Sequence, residues 1–193
     1  MSILVLGIGN RFMSDDAVGV MLIHRLQAEY RFLPEVMVVN GGTAAISLLT
    51  MLEGIERLLV VDAIDTGCAP GTVIRLSGDD LRIGFRFKIS SCQIGVEDML
   101  AAAKLLDYYP REVAIWGVQP AVLECGAELS PFVEEQFDTL LERVLEELSG
   151  WGVSWVAHEA DMPEQTMIES MGLHNICGTA AELDGVRFCG SDK

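Results

Sequence analysis

The stretch Arg57-Leu58-Leu59-Val60-Val61-Asp62-Ala63 limits the fold more than any other part of the chain. Its aliphatic run shows no polar/apolar alternation, so both faces of the strand it forms are covered. Strands covered on both faces belong to parallel sheets packed between helices. The flanking sequence agrees. Ile3 to Leu6, Glu35 to Val39 and Glu112 to Gly117 read as further strands, and helical patterns alternate with them. Val18, Leu22 and Leu26 stripe a helix over about 15–30, opened by Ser14 as N-cap with Asp15 and Asp16 in its first turn. A short apolar helix is predicted over about 44–52 and another over about 96–106. Ser130-Pro131 starts a last one, striped by Val133, Phe137, Leu140, Leu141, Val144, Leu145 and Leu148 and ended by Gly150. Val73 to Leu76 alternates weakly, as an edge strand does, in either direction. The predicted architecture is α/β: a mostly parallel sheet with helices on both faces. Right-handed crossovers then bring the carboxyl ends of the parallel strands to one edge.

Residues 1–152 account for this pattern as a single α/β domain. From Trp151 onward it fails, and 153–193 reads as an extension with no strong helix or strand. Residues 151–193 hold seven acidic residues against Arg187 and Lys193. The whole chain carries a net charge of −16, which disfavours nucleic acid and anionic membrane as partners. No apolar run approaches the roughly 20 residues of a membrane span, and no basic n-region precedes the first strand. The five cysteines (68, 92, 125, 177 and 189) are odd in number and show no tight pairing. A reduced, cytoplasmic protein is therefore expected, with its cysteines either buried hydrophobes or ligands and nucleophiles.

Three polar clusters follow apolar segments and should share one sheet edge: Asn10 to Asp16, Asn40 to Thr43, and Asp62 to Asp65. The loop around Cys92 can join them. One or two carboxylates and a thiolate suit a borderline divalent ion such as nickel or zinc. An aspartate at a strand end equally serves as a cap or turn former, and a single cysteine as a buried hydrophobe. Gly7-Ile8-Gly9 after a strand invites a dinucleotide reading. That reading fails at Phe12, where the third glycine belongs, and at Asp15 and Asp16, which would repel a pyrophosphate. No nucleotide cofactor is expected. His24 is expected at the surface of the first helix. His174 and Cys177 form an isolated His-x-x-Cys pair, and no Gly-x-Ser-x-Gly, Walker or His-Glu-x-x-His motif is present.

Taken together, Leu6-Gly7-Ile8-Gly9-Asn10 with Asp15-Asp16-Ala17-Val18-Gly19-Val20, Gly41-Gly42-Thr43, Val61-Asp62-Ala63-Ile64-Asp65, Ser90-Ser91-Cys92-Gln93-Ile94-Gly95 and Trp116-Gly117-Val118-Gln119-Pro120 closely resemble the nickel–iron hydrogenase maturation endopeptidases. The match in order and spacing runs from residue 3 to about 152. Leu183-Asp184-Gly185-Val186-Arg187 looks like the tail of the uptake-hydrogenase branch. The resemblance implies a three-layer α/β/α sandwich around a twisted, mostly parallel five-stranded sheet. It implies a hydrolase, an aspartyl-type or nickel-dependent endopeptidase. Such an enzyme removes the C-terminal extension of the hydrogenase large-subunit precursor after nickel insertion. The nickel belongs to the substrate, and the protease recognises it. Carried over by position, Asp16 and Asp62 are the catalytic and metal-binding acids, Cys92 takes the histidine ligand position, and Asn40, Gly41, Gly42 and Thr43 line the substrate. Asp16 is one methylene shorter than the family's usual glutamate. Cys92 as thiolate is a more negative donor than imidazole. Asn40 replaces an aspartate and removes one negative charge near the cleft. These last two departures keep open an alternative, a non-cleaving nickel-sensing chaperone of the same precursor. Asp15 is expected to serve only helix-end electrostatics and capping, and Gly7 and Gly9 to leave room for the substrate's backbone and metal.

Overall fold

The aliphatic run of residues 57–63 is the middle strand of the central sheet. The computed structural model describes residues 2–43, 45–78, 80–81 and 96–157. Seven strands occur among them: β1 (Ile3–Ile8), β2 (Tyr30–Leu33), β3 (Met37–Gly42), β4 (Arg57–Ala63), β5 (Val73–Ser77), β6 (Glu112–Val118) and β7 (Ser154–Ala157). The central sheet has the order β3-β1-β4-β6-β5. Its first four strands are mutually parallel, and β5 closes the edge antiparallel to β6.

Side-chain alternation divides the core into two layers. On one face Val5, Leu59 and Val61 meet Val18, Leu22 and Leu26 of α1 (Val18–Glu29). Leu140, Val144 and Leu148 join them. On the other face Leu4, Leu6, Leu58 and Val60 meet Leu52 of a 3-10 helix (Ala45–Leu52) and Met99 and Ala103 of α2 (Val96–Leu105). Leu58 to Val61 are all fully buried. Each such side chain contributes about 1.5–3 kcal/mol, and between the half-buried Arg57 and Asp62 the strand is wholly aliphatic.

From β1 the chain crosses to β3 on one side, and from β4 it crosses to β6 on the other. The strand order therefore reverses between β1 and β4. Open α/β sheets place ligands in the crevice at the carboxyl ends of such a pair.

Three local features differ from the expectations. The predicted helix over 15–30 begins as a 3-10 turn, Ser14–Ala17, and gives way to β2 at Tyr30. The predicted helix over 131–150 is two: α3 (Pro131–Glu134) and α4 (Phe137–Gly150). Past Trp151 the chain forms β7, which pairs antiparallel with β2. Val153 is buried in the core, and Trp155 packs edge-on against Tyr30 with ring centroids 5.4 Å apart.

Candidate active site

Asp62 occupies the carboxyl end of β4 and is completely buried. Its Oδ1 accepts the Ala63 N–H at 2.8 Å. Among the described residues its Oδ2, which is buried, has no hydrogen-bond partner. Burial, and then the negative charge of Asp16, push its proton affinity well above the ordinary carboxylate range. Asp16 is likewise buried, and its Oδ2 accepts the Asn10 N–H at 2.8 Å.

Glycines bring Asp16 to this place. A Cβ on Gly19 would fall 2.3 Å from the carbonyl oxygens of both Ile8 and Val61. The start of α1 thus rests directly on the ends of β1 and β4, one residue short of Asp62. Gly9, at φ +130°, would put a Cβ 1.8 Å from the Asp16 carbonyl oxygen, and Gly7 would clash with Gly19 O and Ile23. The space that Gly7 and Gly9 leave is filled by the protein itself. Close helix–sheet packing, and not room for a ligand, is what these glycines provide.

The turn 14–17 is tied to the segment after β6. Ser14 N–H donates to Gly126 O, Asp15 N–H to Val122 O, and Gly126 N–H to Phe12 O. Ser14 does not cap the helix. It sits at φ 42°, and its hydroxyl donates to Glu124 O at 3.1 Å. Asp15 is fully buried and accepts four hydrogen bonds. Ala121 and Val122 N–H each donate at 2.8 Å, Ser130 N–H at 2.6 Å and the Ser130 hydroxyl at 2.9 Å. Its role is long-range anchoring, not the helix-end capping expected of it.

On the far side of β4, Gln119 braces the loop after the strand. Its Oε1 accepts the N–H groups of Thr66 (2.9 Å) and Cys68 (3.2 Å), and its Nε2 donates to Asp65 Oδ1 at 3.0 Å. In the sequence Gln119 stands only within the Trp116-Gly117-Val118-Gln119-Pro120 motif, with no role of its own. Its near-complete burial is what reveals the brace.

The model of a hydrogenase maturation protease family, HycI, matches residues 20–147. A hydrogenase expression/formation protein, HupD of Rhodobacter capsulatus, is 37% identical over 154 residues, 78% of this chain and 73% of that protein. The hydrogenase 2 maturation protease of Escherichia coli is 36% identical over 161 residues, 83% of this chain and 98% of its own length. This chain belongs to the hydrogenase maturation protease family. The structure of the hydrogenase maturating endopeptidase HybD from E. coli superposes with a TM-score of 0.76 at 35% identity, covering 82% of this chain and 98% of that one. The maturation protease fold, its enzyme class and the uptake-hydrogenase-type affinity read from the sequence agree with these relatives.

Within this maturation protease the predicted residues fall as follows. Asp16 and Asp62 are close enough that the charge of one acts on the other. Asn40 ends up on β3 beside α1, its Nδ2 3.0 Å from His24 Nε2 and its Oδ1 accepting the Gly42 N–H. His24 is exposed, as expected. Gly42 O accepts the Gly9 N–H at 3.0 Å, joining the ends of β3 and β1. Gly41 packs against Leu6, Ile8 and Leu48, and Thr43 is exposed. Cys92 lies outside the described residues, as do residues 158–193 with His174 and Cys177. Among the described residues no three His, Cys, Asp or Glu side chains form a metal-holding group, and no helix is long and apolar enough to cross a membrane.

Proposed function

We propose that the chain is the endopeptidase that removes the C-terminal extension of a nickel–iron hydrogenase large-subunit precursor after nickel insertion. In this reading Asp16, Asp62 and Cys92 recognise the nickel that the precursor carries. The observation that carries the proposal is the buried Oδ2 of Asp62, without a partner among the described residues, beside a second buried carboxylate. Leaving such an atom unsatisfied costs about 1–3 kcal/mol. A fold keeps that cost where a ligand or a proton supplies the missing partner. A divalent cation answers both features at once, since it satisfies the oxygen and offsets the repulsion between the two acids.

Two carboxylates need a third donor. Helix α2, which follows the Cys92 loop in the chain, packs on the face that Leu58 and Val60 share by alternation with Asp62. Carboxylate and thiolate together suit nickel, and because the metal arrives with the precursor the protein needs none of its own. Without the cation, burial and Asp16 favour a protonated Asp62. With it, both acids are ionised, and an oxygen not engaged by the metal takes the proton from the attacking water. Docking of the loaded precursor holds the scissile bond for that attack.

The test is cleavage of a nickel-loaded precursor by purified protein and by Asp16→Ala, Asp62→Ala and Cys92→Ala. Each variant is expected to lose processing, and normal processing by all three overturns the assignment. A wild-type protein that binds the loaded precursor and never cuts it is instead the chaperone.

A further inference from the structure

We propose that Asp15 is a positioning residue for the acidic pair, acting through the segment 121–130. This rests on the reading of Asp16 and Asp62 given above, and it assigns a task to a buried acid which that reading leaves idle. Three observations support it.

Asp15 has no exposed surface, yet among the described residues the four hydrogen bonds to its carboxylate all come from residues more than a hundred positions away. A helix-end acid would be satisfied by its own first turn. The donors lie on one continuous segment, which also meets the backbone of residues 12–15 through Phe12 O, Ser14 N–H and Asp15 N–H. The 3-10 turn is therefore clamped along its length. Finally, the turn has little to hold it by itself. Ser14 sits at positive φ, and among the described residues neither Ser14–Ala17 nor α1 has a side-chain cap.

Asp16 is the next residue in that turn. Its side chain accepts from Asn10 N–H on one side, and Gly9 packs against its carbonyl on the other. A shift of the turn moves Asp16 relative to Asp62, which is fixed in the middle strand. Asp15 thus controls the separation of the two acids without touching what binds between them. Asparagine cannot replace it, because its amide group would face N–H donors with an N–H of its own.

The probe is Ni²⁺ alone, titrated calorimetrically into the full chain, its Asp15→Asn, Ser130→Ala and Ser130→Thr variants, and Asp62→Asn as a control. Asp15→Asn is expected to raise Kd about tenfold or more at unchanged stoichiometry, as when a group supporting a metal ligand is lost. Ser130→Ala is expected to act in the same direction by a smaller factor, and Ser130→Thr, which keeps the hydroxyl, to recover the wild-type value. A purely structural role for Asp15 would instead lower the number of competent sites and leave their Kd unchanged, and that result overturns the proposal. So does a wild-type Kd in Asp15→Asn. Should Asp15→Asn fail to fold, the Ser130 pair decides by the same criterion. Wild-type protein that binds no Ni²⁺, or Asp62→Asn that binds it normally, overturns the reading of the acidic pair itself, and this proposal with it.

Discussion

The charge of Asp16 and the burial of Asp62 act in the same direction: both favour a proton on Asp62. In the unfolded chain Asp62 ionises around its ordinary value of 3.8, while the folded chain holds the proton to higher pH. The unfolded state is then the more readily ionised one. Asp62 therefore costs stability as pH rises above 3.8 toward the raised value, and costs nothing below it. Asp62→Asn is expected to melt higher than wild type at neutral pH, with the difference vanishing in acid. Thermal melts of both proteins across pH measure this, and equal melting temperatures at all pH values contradict it.

Glu147 on α4 should show the opposite slope. Arg75 donates to both of its carboxylate oxygens at 2.7 Å, and Trp116 Nε1 adds a third bond at 2.9 Å. The hydrogen bonds from Arg75 are the main reason its proton affinity falls below the ordinary 4.5, with burial opposing them and Trp116 assisting. The resulting stability is present above 4.5 and lost as pH falls through the lowered folded value. Because Arg75 is well exposed, Glu147→Gln is expected to cost only about 1 kcal/mol at neutral pH and nothing in acid. Denaturant titrations at both pH values check the sign.

Gly19→Ala is expected to be far more damaging. The added methyl would meet the carbonyl oxygens of Ile8 and Val61, which are backbone atoms of the two strands that carry the site. Neither can yield, so α1 must lift from the sheet. A loss of about 3 kcal/mol, at the upper end of overpacking costs, is expected, together with loss of precursor cleavage. Gly54→Ala provides the control. It has positive φ, which Gly19 does not, but nothing within 4 Å of its would-be Cβ, so its cost is strain alone, about 1 kcal/mol, with cleavage kept.

These effects follow the line between what the sequence could and could not reveal. The aliphatic run of β4, the α1 stripe and the edge character of β5 are legible because burial imposes a period on the residues themselves. Asp62 was legible as an acid ending a buried strand. Ser14 has the sequence position of a cap, but Glu124 O, a partner 110 residues on, takes its hydroxyl. Asp15 was undervalued for the same reason, since its donors are mainly backbone N–H groups, which no sequence displays. Gly7 and Gly9 read in the sequence as room for a substrate, and the protein itself fills that space. What approaches them, the start of α1, depends on the tertiary packing. The break at Glu135 and Gln136 inside an unbroken apolar stripe had no periodic signature at all.

The pairing of β2 with β7 is illegible too, because each strand has only four residues and β7 shows no alternation. It bears on where the folded unit ends. Val153 is buried against the core, and Trp155 stacks edge-on to Tyr30. A chain ended at residue 152 gives up both, together with the β2 ladder. Burying one valine contributes about 1.5 kcal/mol or more, and an aromatic pair about 0.5–1.5 kcal/mol beyond its area. A chain ended at 152 is therefore expected to unfold at least about 2 kcal/mol more easily than one ended at 157. Urea titration of the two forms decides the matter. Equal midpoints would mean that the β2–β7 ribbon adds nothing to the fold.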